Sequence, residues 1–182
     1  MKMPIMDRLH ADHINYAKLL NLMETLLANQ KKGSDEGYFE LYLIMKYMTN
    51  YPDIFHHPYE DIIFEELEMM PDVDMNEIEK LKAEHKKIYD VSKALLDELD
   101  AVVNDHIVEK DRIQNLAEIY TSSLRDHMNT EEAKVFPMIN DKMTQASWDK
   151  ISNSLKQVND PIFDGPASDE YKSVFGQLVD EG

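Results

Sequence analysis

Two pairs of residues with the same spacing sit where a helix would be expected to show apolar side chains. In the segment FHHPYEDIIFEE, His56 and Glu60 are four residues apart, and continuing by three and four reaches Ile63 and Leu67. The pair recurs as His127 and Glu131, with Leu124 three residues before it and Val135 four after it. Two more histidines interrupt apolar stripes in the same way: His13 between Leu9 and Tyr16, and His85 between Leu81 and Ile88. Periods of three and four put all six groups on inward faces of helices.

Burying an unpaired imidazole or carboxylate costs several kcal/mol, roughly, so six such groups need a common partner. A single histidine on an apolar face is usually a hydrogen-bonded core residue; the combination is what points elsewhere. Four nitrogen donors and two carboxylates able to bridge match a pair of divalent transition metals. Structural zinc favours four ligands without bridges, so the donor count favours iron or manganese, with zinc chemically admissible. Such a centre would keep positions open for water, oxide, peroxide or a diatomic molecule. His57 lies about 100° round an ideal helix from His56 and is expected behind the ligands or at the surface, exchanging roles with His56 only if Pro58 alters the register. His10 falls one position off the inward face, and His106 falls in a turn.

Four stretches carry these groups. Apolar periodicity predicts helices over residues 4–30, 38–69, 78–103 and 109–142, the second interrupted at Pro52 and Pro58. KKGSDEG separates the first two, with Ser34 or Asp35 as candidate caps. The predicted fold is all-α: an antiparallel up-down-up-down four-helix bundle over residues 1–143 with a short C-terminal helical extension, 144–182, packed on it. Within that extension SWDKISNSL and DEYKSVFGQLV read as short helices, and VNDPIFDGPAS as turns.

Composition narrows the partners. The formal net charge of −17 would repel a nucleic-acid backbone or an anionic membrane. There is no cysteine, so a metal must use His, Asp or Glu. The 12 methionines read as core filler rather than soft ligands. The sequence presents neither an apolar leader nor a membrane-length apolar run, and the expectation is a cytoplasmic protein.

The segments LHADHINYAKLLNLME, HHPYEDIIFEEL, AEHKKI and HMNTEEAKVFP, in this order, resemble the hemerythrin-like, or HHE cation-binding, domain family. The resemblance spans about residues 5–140, and its most specific part is H-x-x-x-E-E followed by an apolar pair and proline. It implies a non-haem di-iron centre with two carboxylate bridges and a bridging oxygen, taking O₂, peroxide or nitric oxide as its small-molecule ligand. By position, His13 and His56 would bind one iron, His85 and His127 the other, and Glu60 and Glu131 would bridge. Oxygen-carrying members have a second histidine one turn after the first on the third helix; here that residue is Tyr89. The departure argues against a carrier with one fewer imidazole, and places a phenol where it could donate a hydrogen bond at the open position or simply pack. A role in oxidative or nitrosative stress follows as the expectation. Reversible O₂ binding or sensing, and iron storage without turnover, are the alternatives, and whether the protein is an enzyme stays open. Oligomeric state is not legible.

Overall fold

The computed structural model describes residues 4–34, 36–73, 75–155 and 158–180. Among them the chain is all-helical, with no strand. Helix α1 runs Pro4–Lys31 and α2 Tyr38–Asn50; a π-helical turn, Pro52–His56, leads into α3, His57–Leu67. Helix α4 spans Met75–Val103 and α5 Lys110–Thr130; a second π-turn, Glu131–Val135, continues into α6, Phe136–Lys142. Helices α7, Gln145–Ser152, and α8, Lys172–Asp180, complete the order, with a 3₁₀ turn at Asp169–Tyr171 before α8. No helix is long and apolar enough to cross a membrane among these residues.

The turn between α1 and α2 is made by glycine rather than by a polar cap. Gly37 occupies the N-cap position at φ 89° and no side chain caps the helix. A Cβ there would meet Leu26 Cδ2 at 2.9 Å, so the position needs both the left-handed backbone and the missing side chain. Ser34 instead accepts from the Glu36 amide at 3.1 Å, and Asp35 lies outside the described residues.

The apolar stripes pack into two clusters with a polar layer between them. One contains Met6 and Leu9, Ile63 and Leu67, Ile78 and Leu81, and Val135 and Ile139. The other contains Tyr16 and Leu20, Met45 and Met48, Ile88 and Leu95, and Tyr120 and Leu124. Following the chain, α1 and α4 pass from the first cluster to the second, whereas α2 with α3, and α5 with α6, pass from the second to the first. His13, His56, Glu60, His85, His127 and Glu131 fall at the crossing point on every path.

The C-terminal residues belong to the same packing. Trp148 and Ile151 of α7 join the first cluster; Ile162, Tyr171 and Val174 join the second. Thr144 caps α7 by accepting from the Ser147 amide at 3.2 Å. The turn-rich segment is anchored by Asp160. Its Oδ1 accepts from the amides of Ile162 and Phe163 at 2.7 and 2.9 Å, and its Oδ2 accepts from the buried Tyr47 hydroxyl at 2.7 Å.

Candidate metal centre

Both H-x-x-x-E pairs sit at helix interruptions, and proline explains why. Pro58 has no N–H to give the α-helical ladder, and its ring crowds the carbonyl one turn back. The backbone relaxes by widening the preceding turn, so that the His57 amide reaches five residues back to the Pro52 carbonyl. Pro137 does the same downstream, where the Phe136 amide reaches Glu131. π-turns of this kind are rare and collect at functional sites.

The geometry is that of two histidine groups joined by two carboxylates. Glu60 turns Oε1 toward His56 Nε2 at 3.2 Å and His13 Nε2 at 3.6 Å, and Oε2 toward His85 Nε2 at 3.5 Å. Glu131 turns Oε2 toward His13 Nε2 at 3.4 Å, and Oε1 toward His127 Nε2 at 3.1 Å and His85 Nε2 at 3.8 Å. Each carboxylate therefore gives one oxygen to either side. The two glutamates are fully buried, at 0 % exposure.

The structure brings together all six residues singled out in the sequence, and adds His57. That residue is not behind the ligands or at the surface: it is buried, and it joins Glu60, His85 and His127 in a group whose ligand atoms lie within 4.8 Å of one another. His13, His56 and Glu60 form the second such group. The His57 ring stacks on His85 with centroids 4.6 Å apart and stands edge-on to His127 at 5.9 Å. The reason is the π-turn. It advances each residue by less than the roughly 100° of an α-helix, so the neighbours His56 and His57 both face inward, one toward each side.

Outer carboxylates hold all five rings. Nδ1 of His13 is 2.9 Å from Glu132, of His56 3.1 Å from Asp12, of His57 3.2 Å from Asp53, of His85 3.0 Å from Asp61, and of His127 3.1 Å from Glu84. A carboxylate only accepts, so Nδ1–H donates in each case and, in the neutral ring, Nε2 is left with its lone pair. That is the arrangement by which proteins orient and strengthen histidine ligands. Four of these acids are chain neighbours of one inward residue and serve a different one: Asp12 follows Ala11 and precedes His13 but holds His56, Glu84 precedes His85 but holds His127, Asp61 follows Glu60 but holds His85, and Glu132 follows Glu131 but holds His13.

The inner atoms lack what their outer ends have. Both oxygens of Glu60 and of Glu131, and Nε2 of His85 and His127, are buried without a hydrogen-bond partner. The Nε2 atoms of His13 and His56 point at one another across 3.1 Å. Buried polar atoms are nearly always satisfied, and a concentration of exceptions, all converging, is the environment a pair of cations would complete. The residues present fit a dinuclear metal site.

Electrostatics in the metal-free chain agree. Burial, the largest influence, opposes protonation of His13, yet Glu132, Glu60 and Glu131 outweigh it and push its pKa up to about 10. Neighbouring carboxylates likewise raise His56 and, more strongly, His85 against their burial. Burial disfavours ionised Glu60 and Glu131, but the imidazoles hold both below the usual carboxylate range. His57 is the exception. Burial and the repulsion of His85 and His56 lower its pKa to about 4, despite its bond to Asp53, and keep it neutral.

Three other residues take places of their own. Tyr89 is 47 % exposed and lies outside the cluster, where it lines, with Asp53, His57, Asp61 and His85, a surface opening of about 280 Å³. Half-exposed Tyr89 is not among the buried groups that converge, so Tyr89→Phe should leave metal content and thermal midpoint unchanged, the latter within about 0.5 kcal/mol of stability. Metal analysis and a melting curve check this. His10 is exposed and shares Glu132 with His13 through a 2.9 Å contact. Tyr16, read in the sequence as stripe, stands edge-on to His56 at 5.1 Å with a buried hydroxyl that has no partner.

A helical chain whose inward histidines and glutamates converge in this way is a cation-binding protein in architecture. The sequence profile of the Hemerythrin HHE cation binding domain matches residues 5–139, and the chain belongs to that family. No curated protein and no solved structure matches it in comparisons of the whole chain.

Proposed function

We propose that the protein is a non-haem di-iron, hemerythrin-like protein that binds or reacts with O₂, peroxide or nitric oxide and serves in oxidative or nitrosative stress. The observation that carries this reading is the pair of fully buried carboxylates, each offering one oxygen to either of two histidine groups. His13 and His56 would hold one metal, His57, His85 and His127 the other, with Glu60 and Glu131 between them. An iron pair there supplies redox chemistry toward O₂, peroxide or NO and keeps positions open for one of them. The alternating path of the chain between the two apolar clusters supports an antiparallel up-down-up-down bundle over residues 1–143, with 144–182 as an extension packed on it.

The chain's own groups do the rest. Outer carboxylates fix the rings with Nε2 inward, so the site is shaped before a metal arrives. Neighbouring carboxylates raise the pKa of His13, His56 and His85, so metal must compete with protons there, whereas His57 is driven toward the neutral form that a metal takes. The two apolar clusters exclude water above and below. His57 favours a second reading, reversible O₂ binding, because it restores a third imidazole on the side where Tyr89 seemed to remove one.

Metal analysis of protein purified without added metal, with visible spectra recorded anaerobically and then with O₂ or peroxide, tests the proposal. The expected content is about two irons per chain. Bands that decay as peroxide is consumed support turnover, and bands that reverse on removing O₂ support the second reading. A chain with no affinity for iron overturns both.

A further inference from the structure

Behind His56, on the far side of Asp12, lies a larger space. A cavity of about 580 Å³ separates the start of α1 and the π-turn with α3 from α7, Leu155 and residues 158–164. Its walls are mainly apolar, with Ile5, Phe55, Tyr59, Trp148, Ile151 and Leu155 facing one another. Size and lining are those of sites that enclose small organic molecules.

The polar end decides which molecules. Arg8 lines the cavity, but its guanidinium is engaged at all three nitrogens. Nε donates to Asp12 at 2.8 Å, one terminal nitrogen to both oxygens of Asp164 at 2.9 and 2.8 Å, and the other to the Tyr51 hydroxyl. The Arg8 cation is thus shared between two carboxylates, and none of its nitrogens is left over for a ligand. An anionic head group would meet the carboxylates of Asp12 and Asp164 and an Arg8 already engaged, whereas a neutral N–H or O–H would find acceptors there, with Ser152 and Asn159 as further polar lining.

We propose that this cavity is a binding site for a small neutral organic molecule with an aromatic or aliphatic body and a hydrogen-bond-donating head directed at Asp12 and Asp164. The site is separate from the metal centre, because the His56 ring stands between them with Nδ1 on Asp12 and Nε2 beside Glu60. It stands on the cavity alone and does not depend on which metal, if any, is loaded. A bound molecule would touch the carboxylate that orients His56, which gives the C-terminal extension a role in the site.

Two fluorescent probes that differ by one sulfonate test it: neutral N-phenyl-1-naphthylamine, which carries a single N–H, and anionic 1-anilinonaphthalene-8-sulfonate. The full chain is titrated with each, exciting through Trp148, its 1 tryptophan and a wall residue. The expected result is saturable binding of one neutral probe per chain, with the sulfonate at least about tenfold weaker, a difference of 1.4 kcal/mol or more. Leu155→Glu and Ile5→Phe, on opposite walls, should each weaken the neutral probe by about tenfold or more, one by burying a charge and the other by filling space. Ile107→Glu, in the exposed turn between α4 and α5, should change nothing. Equal binding of the two probes, binding indifferent to both wall variants, or no saturable binding overturns the proposal. Circular dichroism identifies a variant that fails to fold, and the other wall then decides.

Discussion

Glu60→Ala is expected to take the metal content from about two ions per chain to less than one, with helicity retained. Glu60 is the residue that both ligand groups share, so its loss opens each of them at once. It also removes one of the two fully buried negative charges that would offset the charge of two divalent ions. Glu60→Gln separates these contributions. The amide keeps the shape and one acceptor oxygen but not the charge, and an affinity loss of about 100-fold or more is expected even so, beyond the 10- to 100-fold typical of removing an outer partner. Glu60 is one of the carboxylates that raise the pKa of His13, His56 and His85, so its loss also weakens that pull toward protonation. Metal analysis after gel filtration, with circular dichroism alongside, measures both. Retention of two ions in Glu60→Ala would place the metals, if any, elsewhere.

How far the sequence led is clear from particular residues. Helices with an uninterrupted 3.6-residue stripe were legible nearly to their ends: the stripe predicts 4–30 where α1 is Pro4–Lys31, and 78–103 where α4 is Met75–Val103. The six polar residues that break those stripes were legible for the same reason, because a periodic face declares which side chains point inward whatever their chemistry. His57 was not. Its direction depends on a turn of five-residue reach, and the 100° rule that located the others sends it the wrong way. Pro58 marked a disturbance, but a kink and a widened turn have the same sequence signature and opposite consequences for the neighbouring ring.

The outer carboxylates were hidden differently. A strongly acidic chain reads as a solvated acidic surface, yet Asp12 is 3 % exposed and aimed at His56. The signal that could have found them is adjacency: DH, ED, EH and EE each combine an inward residue with an acid that reaches a histidine of another element. The cavity beside Asp12 was beyond reach, since the segment between α7 and α8 has no periodic stripe and is placed by single contacts such as Tyr47 to Asp160.

His57→Ala separates the two accounts of this centre. If His57 is a ligand, the side with His85 and His127 drops to two imidazoles and its ion should be lost or bound about 100-fold more weakly, while the His13 and His56 side keeps its own. The expected content is about one ion per chain, and a spectrum that no longer shows coupling between two metals. If His57 is instead a packing residue bonded to Asp53, the variant should keep both ions and show only the lower melting temperature that follows from a cavity and an unpaired acid. His10→Ala is the control, since His10 touches the same outer carboxylate as His13 but is exposed. The structure favours the first outcome on chemical grounds. Among the rings whose protonation burial and neighbours shift, His57 alone is driven toward the neutral form, with a pKa near about 4, and a neutral imidazole whose Nδ1–H is fixed by a carboxylate has its remaining nitrogen free for a metal.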